Sequence, residues 1–207
     1  MKTQPLLAKI TVVLLAGLFA ACATPEITRV ETVVEPVPVV YEVGATGPAG
    51  GFIVYDKGRV SDGWRYIEAA PVGWSGDAAD PVAVWGGTGT LAGAQLDVAG
   101  SGLANTIAIL DVFGEADPDT ARADYAARLC ADAVINGFDD WFLPSRDTMI
   151  AAYENLYRAG MGGLTTGSYW TSTERNTERA MAFNTATAGM ISARKVHEYH
   201  VRPVRRF

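Results

Sequence analysis

Five cations fall within the last fourteen residues of this chain: Arg194, Lys195, Arg202, Arg205 and Arg206. Arginine forks match sulfate, phosphate and carboxylate groups two bonds at a time, so such a cluster suits a polyanion. The same side chains could instead pair with Asp and Glu from elsewhere and lock the terminal strand. Trp74 and Trp85 lie in a long Gly-, Ala- and Asp-rich segment, Pro71 to Gly100, and are candidates to stack on a ligand. A segment of that length is either functional or a variable surface insertion.

Other reactive types do not assemble into a known pattern. His197-Glu198-Tyr199-His200 lacks the four-residue histidine spacing of a helical zinc site, and in a strand the two rings face opposite ways. Glu115, Asp117, Asp119 and Asp124 lack the spacing and closing glutamate of a calcium loop and suit the first turn of a helix. Asp139-Asp140 reads as turn acids or half of an ion site. There is no G-x-S-x-G, and no histidine is placed by local sequence beside a Ser or Cys. No catalytic residue, metal or cofactor is therefore assigned, and the chain is expected not to be an enzyme.

The elements that would position these residues follow from periodicity. Phe52–Tyr55 and Trp64–Ala70 read as strands around an Asp56-Lys57-Gly58 turn, and Val82–Trp85 as a further strand. Leu103–Leu110 suits a short helix. Asp119–Ile135 suits a longer one, with Tyr125, Ala126, Leu129, Cys130, Ala133 and Val134 on one stripe and Asn136-Gly137 as its stop. Cys130 on that stripe reads as a small core residue. Ser145 is expected to cap a third helix carrying Met149, Ile150, Tyr153, Leu156 and Tyr157 and ending at Gly160. Ser168–Ser172, Arg179–Asn184, Gly189–Arg194 and His197–Arg206 read as strands. Strands at both ends with helices between predict an α+β fold with the two termini in one sheet.

The chain has 207 residues, 49% of them hydrophobic and 19% charged, which suits one globular domain with a short addition. Lys2 and Lys9 flank a start followed by the apolar run Ile10 to Ala21, too short to span a bilayer but fitting a secretory signal peptide over 1–21. Phe19-Ala20-Ala21-Cys22 resembles a bacterial lipobox, with Cys22 as the lipidated residue; ordinary cleavage near Ala23 is the alternative. Ala23 after the cysteine favours the outer membrane. Without Lys2 and Lys9 the chain carries 15 basic and 23 acidic residues, a net charge of −8, which argues against nucleic acid as a partner. Residues 22–43, with Pro25, Pro36 and Pro38, read as an extended tether reaching about 60 Å, and 44–207 as the domain. In GATGPAGG the glycines give two triplets before Gly51 breaks register, so the stretch reads as a turn into the domain and not as a collagen stalk.

An ordered set of short motifs carries a resemblance: GPAGGFIVYDKG, DGWRYIEAAP, GLANT, a helix with A-x-x-C, GFDDWFLPSRD, YWTSTE and VRPVRR. Together they are similar to the Lcl C-terminal domain, a bacterial surface domain, over about Gly47 to Phe207. The resemblance implies a C-type-lectin-like fold with paired N- and C-terminal strands, two main helices and a long loop region. It also implies a surface binding module, associated in a collagen-like adhesin with sulfated glycosaminoglycans. The Glu-Pro-Asn and Trp-Asn-Asp signatures of calcium-dependent sugar sites are absent, and a single domain cysteine does not support the related formylglycine-generating chemistry. The expectation is thus a lipid-anchored envelope protein, joined to the membrane through Cys22, that binds a sulfated or acidic glycan or an envelope protein. The alternative is a structural envelope lipoprotein with no glycan ligand.

Overall fold

The computed structural model describes residues 39–117, 119 and 123–207. The expected signal peptide, Cys22 and the tether before Val39 lie outside the described residues. Contacts divide the chain into Met1–Val40 and Tyr41–Phe207, and every element below belongs to the second unit. Tyr41, expected in the tether, stands edge-on to Tyr66 and Phe207, and its N–H donates to the Tyr66 hydroxyl.

Among the described residues the fold is α+β, with two sheets and three α-helices. In the first sheet β1 (Phe52–Ser61), β2 (Trp64–Ala69) and β8 (Val204–Arg206) run antiparallel in that order. Both ends of the domain therefore share one sheet, although the last strand pairs with β2 and not with β1. The turn expected at Asp56–Gly58 is instead an irregularity inside β1. Asp56 accepts the Gly58 N–H and an Arg65 fork, while the chain reverses at Asp62-Gly63, where φ is 52° and 80°. Two successive positive φ values give the backbone twist that a tight hairpin needs.

The second sheet orders β3 (Val82–Ala83), β7 (Tyr199–His200), β4 (Ser168–Glu174), β5 (Arg179–Asn184) and β6 (Gly189–Arg194). The last two have the expected bounds. Val84 and Trp85 lie outside β3, and the strand expected over His197–Arg206 is two strands. Its chain pairs in the second sheet at β7, passes Val201-Arg202-Pro203, and pairs in the first at β8. Proline has no N–H to give a ladder, so the break falls where the sequence places Pro203.

Side-chain alternation along β4 and β5 divides the interior. Trp170 and Ala182 face a core with Trp85, Ile109, Tyr125 and Cys130, against α1 (Gly102–Phe113) and α2 (Ala126–Ala131). Tyr169 and Phe183 face a second core with Ile67, Phe142, Met149, Tyr153 and Leu156, under α3 (Arg146–Asn155). Fully burying one such aliphatic or aromatic side chain contributes roughly 1.5–3 kcal/mol. Two buried indoles of the first core satisfy their N–H groups on carbonyls, Trp85 on Thr171 and Trp170 on Ala83.

The helices differ from expectation at their ends. α1 begins at Gly102, where only glycine fits, since a Cβ would stand 2.4 Å from the Leu143 carbonyl oxygen. α2 is far shorter than the predicted stripe. Tyr125 is extended and the Ala126 N–H is held by the Val84 carbonyl, while Ile135 and Phe138 close a tight turn over Asn136-Gly137. Val134, expected on the buried stripe, consequently faces water. Ser145 occupies the N-cap of α3 but makes no capping bond, since its hydroxyl donates to the Val98 carbonyl. A short 3-10 turn, Tyr157–Ala159, ends at left-handed Gly160.

Candidate functional site

The basic tail does not form one surface. Lys195 Nζ lies 2.7 Å from Glu174 Oε1 with both side chains wholly buried, and it also donates to the Thr90 carbonyl. Arg202 donates to Asp80 Oδ1 at 2.7 Å and to the carbonyls of Ala70, Gly162 and Gly163, with its side chain 3% exposed. Arg205 forks onto both Asp140 oxygens at 2.7 and 3.0 Å and lies 3.5 Å from Glu68. These three cations hold the fold together and present no charge to an outside ligand. Asp140 is thereby an ion-pair partner of the tail. Trp85 is likewise excluded as a stacking platform, being fully buried in the first core.

Two of the buried carboxylates, Glu68 and Glu174, also grip a loop by its backbone. Glu68 accepts the N–H groups of Ala49 and Gly51, fixing the Gly47–Gly51 turn. A Cβ on Gly47 would reach 2.4 Å from the Glu68 carboxyl carbon, and one on Gly51 would reach 1.8 Å from the Ala69 oxygen. Glu174 accepts the N–H groups of Ala92 and Gly93. Asp80 accepts the Trp74 indole N–H and the Tyr169 hydroxyl. Desolvation by burial, with the nearby Asp80 charge, pushes the Tyr169 phenol up to about 12. Burial also pushes the Cys130 thiol well above its ordinary range, which removes it as a nucleophile near neutrality.

One open polar surface lies on the second sheet. In β5 and β6, Arg179 opposes Arg194, Met181 opposes Ser192 and Phe183 opposes Met190, and opposed residues share a face. α3 covers this face at Phe183, whose ring centre lies 4.7 Å from that of Tyr153, but not at Met181 and Ser192. There a cleft of about 570 Å³ opens between the sheet, Arg146 and the Gln95–Asp97 loop. Arg146 bridges Asp97 at 2.7 Å and Asp147 at 3.0 Å, and its N–H is held by Thr173. Arg179 lies over Ser192, bonding its hydroxyl and carbonyl. Among the described residues, the side chains of Arg175, which lines the cleft, and Arg194 make no hydrogen bond or ion pair, and both are exposed.

Of the expected site residues, only Arg194 belongs to this face. Arg206 is half-buried, donating to the Gly100 carbonyl beside Trp64, and Trp74 lies elsewhere at a separate hollow. Arg146, Arg175 and Arg179 were missed. Pairing the two predicted strands from their shared turn places Arg179 opposite Arg194, so that signal was present. Among the described residues no group of three His, Cys, Asp or Glu side chains could hold a metal, and no helix is long and apolar enough to cross a membrane. The arrangement offers exposed cationic forks beside Met181 and Met190. No family model matches the chain, and no curated protein does.

Proposed function

We propose that this chain is a non-catalytic binding module of C-type-lectin-like build, held in the bacterial cell envelope by a lipid on Cys22, whose open arginine face takes a sulfated or acidic glycan. The observation that carries the reading is the direct opposition of Arg179 and Arg194 on an exposed face. Like charges placed opposite each other across a ladder are destabilising, and an anion between them relieves the repulsion. Arg175, unpaired among the described residues, adds a cation at the adjoining cleft, beside Arg146 in its pairs with Asp97 and Asp147, in a chain whose net charge is −6. The lectin-like build is supported by the shared terminal sheet, the helices on both sides of β4 and β5, and the irregular segment from Pro71 to Gly100.

The test is retention of the full chain on heparin at physiological salt. Retention is expected, and replacing Arg175 and Arg194 together by alanine should weaken binding about tenfold, with the fold intact. Flow-through of the unaltered protein refutes the glycan. The second reading, a structural envelope lipoprotein, is favoured by the burial of Lys195, Arg202 and Arg205 as ion-pair partners. It requires a stoichiometric envelope protein to co-purify while heparin retains nothing.

A further inference from the structure

A second hollow, about 400 Å³, lies apart from the arginine face, between the Trp74 turn and α2. One wall is Trp74, whose indole N–H donates to Asp80 Oδ1 at 2.9 Å. Asp80 is itself tied to Arg202 and Tyr169, so the ring is held from behind by a buried network. Pro81 and Leu129 supply apolar lining. Asp77 and Asp132 supply carboxylates at the rim. Asp77 is exposed and has no hydrogen bond or ion pair among the described residues. Among the described residues the Asp132 carboxylate meets only Arg128, at 3.4 Å, and Arg128 is shared with Glu115 and the Gly114 carbonyl.

The chemistry of this lining is one-sided. It offers carboxylate acceptors, an aromatic surface and aliphatic contacts, but no Asn, Gln or Arg donor, and Ser75 is its single hydroxyl. A neutral sugar needs donors as well as acceptors from its site. An anion would meet two carboxylates. A ligand that brings both positive charge and apolar surface matches every group present, because an ammonium attracts the face of an indole and its alkyl part covers Pro81 and Leu129.

We infer that the Trp74 hollow is a binding site for the alkylammonium group of a small amphipathic amine. Its cation lies by Trp74, between Asp77 and Asp132. The site does not depend on the arginine face and has the opposite charge preference.

The probes are butylammonium and butyltrimethylammonium, with butanol and glucose as neutral controls, added to the full chain in non-ionic detergent. Saturation-transfer NMR and calorimetry read binding. Both ammonium probes should saturate, at dissociation constants in the range of about 0.1–10 mM, while the controls do not. Asp77→Asn lies on the surface and keeps the fold; it should weaken binding about 3–5-fold, and Asp132→Asn likewise. Trp74→Leu should weaken it about 3–10-fold. Arg175→Ala should leave it unchanged, so this result and heparin retention fail independently. Equal binding of butanol, preferential binding of glucose, absence of saturation, or an Asp77→Asn, Asp132→Asn double variant with unaltered affinity would each overturn the assignment.

Discussion

Lys195 Nζ sits 2.7 Å from Glu174 Oε1, with both side chains closed off from water, and 4.8 Å from the centre of the Trp85 ring. The pair joins the turn after β6 to the end of β4 and to the loop at Ala92-Gly93. Removing one member strands a charge in the interior. Lys195→Met or Glu174→Gln is expected to cost about 3–5 kcal/mol of stability, read by urea unfolding. The double replacement should cost clearly less than the sum, because neither charge is then left alone.

The turn at Gly47–Gly51 makes a steric prediction. Gly51→Ala places a methyl against the Ala69 carbonyl, which belongs to a paired strand and cannot move aside. A loss of about 3 kcal/mol or more is expected in thermal unfolding. Gly58→Ala is the control: its φ is 83°, but nothing lies within 4 Å of the added carbon. Backbone strain alone should cost about 1–2 kcal/mol there.

Tyr169 gives the domain an alkaline limit. Its folded value of about 12 stands above the ordinary tyrosine value of about 10. A raised folded value means that the stability from the neutral phenol is complete below pH about 10 and is lost as pH rises toward about 12. Unfolding measured across that window should show the loss, and Tyr169→Phe should remove that part of the pH dependence.

Cys130 offers a probe of opening. Its thiol is buried and held protonated, so alkylation of the native protein near neutral pH should be slow. The rate should rise in step with unfolding in denaturant. Fast labelling of the native state would mean that the core around α2 opens locally.

Arginine variants have to be read by burial. Arg175→Ala and Arg194→Ala should change stability by no more than about 0.5 kcal/mol. Arg205→Ala leaves Glu68 facing the core without its cation and is expected to cost about 3 kcal/mol or more. A loss of heparin retention in the Arg205 variant alone would therefore report damage to the fold and not a contact with ligand.

Strand existence was legible where local chemistry is unambiguous. β5 and β6 have their expected limits because alternation is flanked on each side by Asn-, Thr- and Gly-containing turns. Asp56-Lys57-Gly58 misled because the same residues that make a turn also make an irregularity in a strand, and only pairing with Arg65 distinguishes them. α2 was overextended because its apolar spacing includes Tyr125, which is extended, and Ala133 and Val134, which follow the helix end at Ala131 and precede the Asn136-Gly137 turn. The fate of the basic tail could not be read locally. Arg205 finds Asp140 and Glu68, and Arg202 finds Asp80, only once distant segments are packed together. Paired or free is a property of the fold, whereas local spacing shows only which charges are nearby in sequence.

Glu68 and Glu174 hold their loops through main-chain N–H groups that almost any residue supplies. The anchor therefore places little demand on the loop side chains beyond the glycines that sterics require. Leu91, Leu96 and Val98, exposed around the Glu174 anchor, could be exchanged without loosening it. A chain built this way can alter what its loops touch while its frame stays fixed, so loop surface and architecture can change independently.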